Sequence, residues 1–400
     1  MGRLMEEIRE RAVSAKPVYS LSECIKIDKD FLETESAEAE ELSQEDTDEL
    51  IEEIKESFSD CVRYGNDKKL NIIRKYVEER DAPIEKADSG GDDDGEVSCF
   101  HEFYEDNIIY PFTWEDKLYL ILPDELVQIY QEIVNAPDFA AVSAYNAELL
   151  KYATALTNLY GVCEISQFIN VWNTHHKEKL SDYSKTAEIL EKLGMQNYSY
   201  FAIDGYLLAD GIWLDSHRDQ LLERVEGLEY YMPLKSVIAL YAKEDYYMEI
   251  PGAKEMSEFL SQYIPEKQRE DENKNIAFYF SGMTKERILD FINHQIARAC
   301  KRVYRPAFIR QELEKAGIGF ILNDAEAVAK FEKLFMTLRE NTRIWEFRGL
   351  TPYQHELQNG KMLPKFDLLE EDEPEEKESP KAENKREKRK KGKNRTGDKN

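Results

Sequence analysis

The sequence predicts a mostly α protein with a small β hairpin: a winged-helix-like module, a helical C-terminal module and a disordered acidic and basic tail. Three observations carry this expectation. Apolar residues recur at helical spacing through most of the chain. One dipeptide, Asp204-Gly205, stands between two short β-prone runs and is the strongest hairpin signal in the sequence. The last thirty residues are charge blocks without apolar residues to bury.

The N-terminal region, 1–80, reads as an acidic helical arm. Residues 28–60 hold 15 acids against Lys29 and Lys55. Leu50, Ile51, Ile54 and Phe58 share a helical face, and Asp46 or Thr47 suits the N-cap. Gly65-Asn66 breaks the pattern, and Leu70, Ile73 and Val77 resume it. Residues 81–99 form a linker, because Ser-Gly-Gly-Asp-Asp-Asp-Gly opposes packing through both flexibility and like charge.

Residues 100–215 are assigned to the winged-helix-like module. A helical stripe through Leu149, Ala153, Leu156 and Leu159 stops at Gly161. A second follows through Ile165, Phe168, Ile169 and Trp172. A third spans Ser184 to Leu193 and is expected to stop at Gly194. Tyr198–Ile203 and Tyr206–Ala209 then form the hairpin. Three helices followed by a hairpin is the order of a winged helix, with 184–193 in the recognition position. Residues 216–356 read as a helical module and 357–400 as the charged tail. Residues 370–378 hold seven acids and one Lys; residues 381–399 hold ten bases and three acids.

Composition bounds function. The chain has 400 residues, 54 Lys and Arg, 81 Asp and Glu, a formal charge of −27 and a pI of about 4.8. Such a charge opposes nucleic-acid binding by the surface as a whole. The cysteines at 24, 61, 99, 163 and 300 are odd in number and widely spaced, which fits reduced thiols in a cytoplasmic protein. No secretory h-region and no long apolar run are present.

No P-loop, dinucleotide fingerprint, HExxH, nucleophile elbow or EF-hand loop occurs. No residue is therefore assigned a catalytic role, and no cofactor is expected. No Cys/His cluster has metal-ligand spacing, so no metal is expected either. His175 and His176 are adjacent, and a polar role at a helix end suits them better than ligation.

Two segments stand out. No acid occurs from Phe291 to Gln311, whereas Arg298, Lys301, Arg302, Arg305 and Arg310 do. The first four are spaced for one helical face, either a phosphate-contacting ridge or a face docked onto acidic neighbours. The second segment is Asn341-Thr-Arg-Ile-Trp-Glu-Phe-Arg-Gly-Leu-Thr-Pro352. Its Arg343, Trp345 and Arg348 form either a docking motif or a helix end sealed by Gly349 and Pro352 with its aromatics inward.

That run resembles the N-T-R-x-W-x-x-R-G-x-T-P motif of a group of bacterial proteins. Many of them carry a C-terminal SEC-C zinc motif or a Rho-termination-factor-like N-terminal segment. Leu159-Tyr-Gly-Val162 with the following helix is similar to the same group, as is Glu229-Tyr-Tyr-Met-Pro233 with Leu240-Tyr241. The resemblance spans residues 100–356 and implies no particular activity. It does not imply zinc here, because no cysteine follows Cys300.

The leading expectation is a non-enzymatic interaction or regulatory protein whose partner is another protein. The helix at 184–193 offers Lys185 and Lys192 against Glu188 and Glu191, too little positive charge for a DNA reader. The alternatives are nucleic-acid binding through the 298–305 face and the 381–399 tail, or an enzyme whose site is scattered in sequence.

Overall fold

The computed structural model describes residues 8–35, 44–84, 94–209, 212, 215–264, 284–302, 306–359 and 368. Arg305, residues 85–93 of the expected linker, and the charged blocks at 370–378 and 381–399 lie outside them. The described chain is mostly helical, as the sequence predicts, with two small antiparallel sheets where one hairpin was expected. It divides into two compact units, 1–254 with 338–362, and 255–337 with 363–400.

The first unit opens with helices α1 (Leu21–Glu35), α2 (Gln44–Tyr64), α3 (Asp67–Glu79) and α4 (Asp94–Glu105). Asn66 caps α3: its side chain accepts from the Lys69 N–H, which satisfies a donor the helix itself leaves open. The hairpin β1 (Tyr110–Trp114) and β2 (Lys117–Ile121) follows, then α5 (Asp124–Val134). This hairpin has no Asn-Gly or Asp-Gly signal and was not expected. Glu115 and Asp116 turn it with φ of 51° and 59°, the left-handed pair that a two-residue turn requires.

One apolar core joins these elements, running from Ile8 through Phe58, Ile73 and Phe103 to Leu126 and Ile133. It draws on both sides of residues 81–99. Residues 100–134 therefore share a core with the N-terminal helices, within the same unit as the hairpin at 204–205. The physical reason is the apolar face of α2, which packs on α5.

The next elements are α6 (Phe139–Tyr160), β3 (Val162–Glu164), α7 (Ile165–His175), α8 (Tyr183–Asn197), β4 (Phe201–Ile203) and β5 (Tyr206–Leu208). The three strands form one antiparallel sheet in the order β3-β5-β4. Asp204 and Gly205, with φ of 52° and 82°, make the turn between β4 and β5. The third helix does not stop at Gly194. It continues to Asn197 and is capped by left-handed Tyr198. Gly194 serves packing instead: a Cβ there would meet the Tyr200 ring at 2.9 Å.

Helices α9 (Asp215–Arg224) and α10 (Lys235–Tyr241) complete this part, α10 lying along α6. The boundary between units falls at Lys254 rather than at residue 215, because residues 215–254 pack with α6 and β3. The second unit holds α11 (Ala253–Ser261), α12 (Lys285–Lys301), α13 (Pro306–Lys315) and most of α14 (Ala325–Asn341). Helix α15 (Pro352–Asn359) returns to the first unit. The core was expected to end at Leu357, yet Leu368 is fully buried. Its N–H donates to Glu332 and its carbonyl accepts from Arg310 Nε at 2.7 Å.

Candidate interaction site

The three segments singled out in the sequence, 159–162, 229–233 and 341–352, converge in the first unit. Trp345 is 2% exposed, and its Nε1 donates to the Asn158 carbonyl. Asn158 Nδ2 in turn donates to the Tyr241 carbonyl at 3.0 Å. The Tyr160 hydroxyl donates to the Tyr231 carbonyl at 2.6 Å, and Tyr231 N–H to the Arg348 carbonyl at 3.0 Å. The guanidinium of Arg343 lies 3.6 Å from the centre of the Tyr231 ring, and that of Arg348 lies 4.1 Å from the centre of Tyr230. Arg343 also donates to the Gly349 carbonyl at 2.8 Å.

Thr351 and Gln354 bond reciprocally at the start of α15, where Pro352 fills the first helical position. Trp345 and Arg348 are thus built into a helix-to-helix joint with the indole inward, and Arg343 is half-buried over it. Burial also raises the pKa values of Tyr160 and Tyr230 above the ordinary phenol value, so both hydroxyls remain neutral, that of Tyr160 donating to the Tyr231 carbonyl and that of Tyr230 accepting from Arg348.

The basic residues of the acid-free stretch are placed differently from one another. Helix α12 ends at Lys301, and Arg302 has left the helix with ψ of 155°. The i, i+3, i+4, i+7 face therefore does not continue past Lys301. Lys301 is 1% exposed, and burial, then Arg298 nearby, depresses its affinity for a proton well below the usual lysine range. Arg298 and Arg302 are half-exposed, and Arg310 is held by Leu368. Arg305 lies outside the described residues.

The histidines at the end of α7 are structural. His175 Nε2 lies 3.0 Å from the Pro233 carbonyl, which can only accept, so Nε2 carries the proton and Nδ1 accepts from Tyr152. His176 stacks on Trp172 with ring centroids 3.8 Å apart. Among the described residues, no group of three or more His, Cys, Asp or Glu is placed to hold a metal. No helix among them is long and apolar enough to cross a membrane.

The surface that does stand out is α8 with β4. Its inward stripe, Thr186, Leu190, Leu193 and Gly194, is buried. Outward lie Tyr183, Met195, Tyr198, Phe201 and Ile203, between 39% and 64% exposed. Glu188, Glu191 and Lys185 are exposed on the same helix. The C-terminal end of α8 is occupied by the acidic arm. Lys192 pairs with Asp60 at 3.1 Å, and Asn197 donates to the Tyr64 carbonyl and accepts from Asn66 N–H, both at 2.9 Å. Buried Lys69 reaches Glu102 and, at 2.6 Å, the Gln196 carbonyl.

Sequence reasoning did not identify this face. Its signal was present in part: Met195 falls out of phase with the core stripe of α8, whereas Tyr183 falls in phase with it, and Phe201 and Ile203 alternate with Ala202. Comparison of the chain with protein-family models, with curated proteins and with solved structures finds no match.

Proposed function

We propose that the chain is a non-enzymatic interaction protein in which residues 146–208 form a winged-helix-like scaffold, and that the face of α8 and β4 receives another protein. One observation carries this reading. The helix in the recognition position presents Glu188 and Glu191 outward, and its C-terminal end is taken up by α2 and α3. A duplex phosphate backbone would meet carboxylates there, and the helix could not lie along a major groove without displacing the arm. The order helix, strand, helix, helix, hairpin supports the scaffold assignment. The resemblance to the SEC-C-related bacterial group is supported by the meeting of its three segments around Trp345. A cytoplasmic location accords with cysteines that no disulfide joins.

Nucleic-acid binding through Arg298, Arg302, Arg305 and the 381–399 tail is the competing reading. It lacks Lys301, whose ammonium position is enclosed. The test is fluorescence anisotropy of the full chain with a labelled duplex and its scrambled counterpart at two salt concentrations. The expected result is weak binding without sequence preference, falling steeply with salt and abolished by removal of 381–399. Tenfold preference for one duplex, lost in Lys185→Ala, would overturn the reading.

A further inference from the structure

A groove opens on the first unit where the outer side of α2 meets the corner between α5 and α6. Its volume is about 540 Å³, within the range of sites that enclose a ligand or several side chains. One wall is α2, through Glu52, Lys55, Glu56, Ser59 and Arg63. These positions recur at three and four residues and so share one side of the helix. Ile54, Phe58, Cys61 and Val62 form its buried side. The opposite wall is mainly apolar: Ile129 and Ile133 on α5, and Phe139 and Val142 in the first turn of α6.

The walls are fixed by hydrogen bonds. Ala136 N–H donates to the Ile133 carbonyl at 3.1 Å and Phe139 N–H to the Ala136 carbonyl at 3.0 Å, which sets the turn between α5 and α6. Asn146, one turn beyond Val142 and 6% exposed, donates from Nδ2 to the Arg63 carbonyl at 3.0 Å. The end of α2 is thereby tied to α6. A partner would meet a preformed groove, without the cost of ordering it.

The lining carries four acids, Glu52, Glu56, Glu132 and Asp138, and two bases, Lys55 and Arg63. Lys55 is committed to Glu52 at 2.7 Å. Arg63 Nε donates to Ser59, and Glu132 accepts from the neutral amide of Gln128. Asp138 occupies the N-cap position of α6 without a side-chain cap bond. Among the described residues, no base pairs with Glu56, Glu132 or Asp138. These three carboxylates come from both walls, and Val142 between them and the core is 45% exposed.

Charge selects the occupant. A phosphate backbone would be repelled by the three carboxylates. A second copy of this chain brings a formal charge of −27 to the same acids. A small monovalent cation would balance one carboxylate and leave the others. A segment with Lys or Arg on either side of an apolar ridge answers both walls and covers the apolar residues. Glu52 and Arg63 lie about 17 Å apart along α2 at 1.5 Å per residue, room for roughly three turns of a partner helix.

Independently of the α8–β4 face, we infer that the groove between α2, α5 and α6 takes a cationic amphipathic segment of a partner protein, its apolar side chains against Phe139 and Val142 and its bases beside Glu56, Glu132 and Asp138.

The test uses the full chain and a fluorescein-labelled peptide of about twelve residues, Leu and Lys at helical spacing, matched to the groove length and read by anisotropy. A control peptide replaces Leu by Gln. Three protein variants alter exposed positions, E56Q/E132Q/D138N, V142S and E188Q/E191Q, and circular dichroism confirms their folding. The expected result is saturable binding of the Leu/Lys peptide. It weakens about tenfold, with a shallower salt dependence, in E56Q/E132Q/D138N and about threefold in V142S. E188Q/E191Q, which removes acids outside the groove, leaves it unchanged. No binding, or binding that E56Q/E132Q/D138N leaves unchanged, would overturn the inference. Equal binding of the Gln/Lys peptide would reduce it to attraction by an acidic surface and overturn it. Loss confined to E188Q/E191Q would overturn the groove and leave the α8–β4 reading standing. Binding that appears only after removal of 381–399 would make that tail the occupant and overturn the separate partner.

Discussion

The indole Nε1 of Trp345 donates a hydrogen bond to the carbonyl of Asn158, 3.1 Å away and 187 residues earlier in the chain. Asn158 lies in the last turn of α6, where backbone carbonyls lack helical partners. A residue from far along the chain therefore completes the end of the helix. The same indole covers Gly161, which ends α6 with φ of 73°.

Gly161→Ala should be costly for two reasons at once. The backbone conformation disfavours a side chain, and the new Cβ would come within 2.7 Å of the Trp345 ring. The expected loss is on the order of 3 kcal/mol. Gly227 has nearly the same φ, 74°, with nothing within 4 Å of its Cβ position. Gly227→Ala should cost only about 1 kcal/mol. Urea midpoints of the two variants decide it, and equal shifts would show that the contact with Trp345 contributes nothing.

Lys69 and Glu102 form a buried pair at the junction of α3, α4 and the end of α8, with side chains 5% and 15% exposed. Lys69→Ala leaves Glu102 enclosed without its cation and should cost about 3–5 kcal/mol. The double variant K69M/E102Q removes both charges and should recover more than half of that. A double variant as unstable as the single one would refute the pairing argument, with thermal unfolding as the readout.

His175 makes stability depend on pH. Burial lowers its affinity for a proton, with Lys235 and His176 adding smaller repulsions and the Pro233 carbonyl opposing them. The unfolded chain therefore takes up the proton first as pH falls through about 6.5. Stability from this group is fully present above that value and is lost below it. Wild type should lose more stability between pH 7.5 and pH 5.5 than His175→Gln. Parallel losses in the two proteins would exclude His175 as a source.

The cysteines should differ in reactivity. Burial, ahead of nearby carboxylates, pushes the Cys24 thiol up to about 12, and burial does the same to Cys61 despite Lys69. Cys163 is raised further by the same cause. Cys99 alone is partly exposed. Iodoacetamide at pH 8 should label Cys99 first and the other four only on unfolding. Peptide mapping that finds Cys61 or Cys163 labelled at the rate of Cys99 would contradict the burial pattern.

The amino-acid sequence by itself determined the local features: the helices of the acidic arm, the Asn66 break, the Asp204-Gly205 turn, and the order of three helices and a hairpin. Each rests on periodicity or turn chemistry confined to a few neighbouring residues. It also singled out residues 159–162, 229–233 and 341–352 separately. Only the tertiary structure brought these three together around Trp345 and turned their arginines onto tyrosine rings. The tertiary structure also decided what periodicity cannot specify. Lys301 has the spacing of an exposed ridge but lies inside. Gly194 has the composition of a stop but makes room for Tyr200 within a continuous helix. Tyr183, Phe201 and Ile203 are apolar but face outward. Spacing assigns a residue to one side of its own element; which side is buried depends on what packs against it, and that comes from residues far away in the chain.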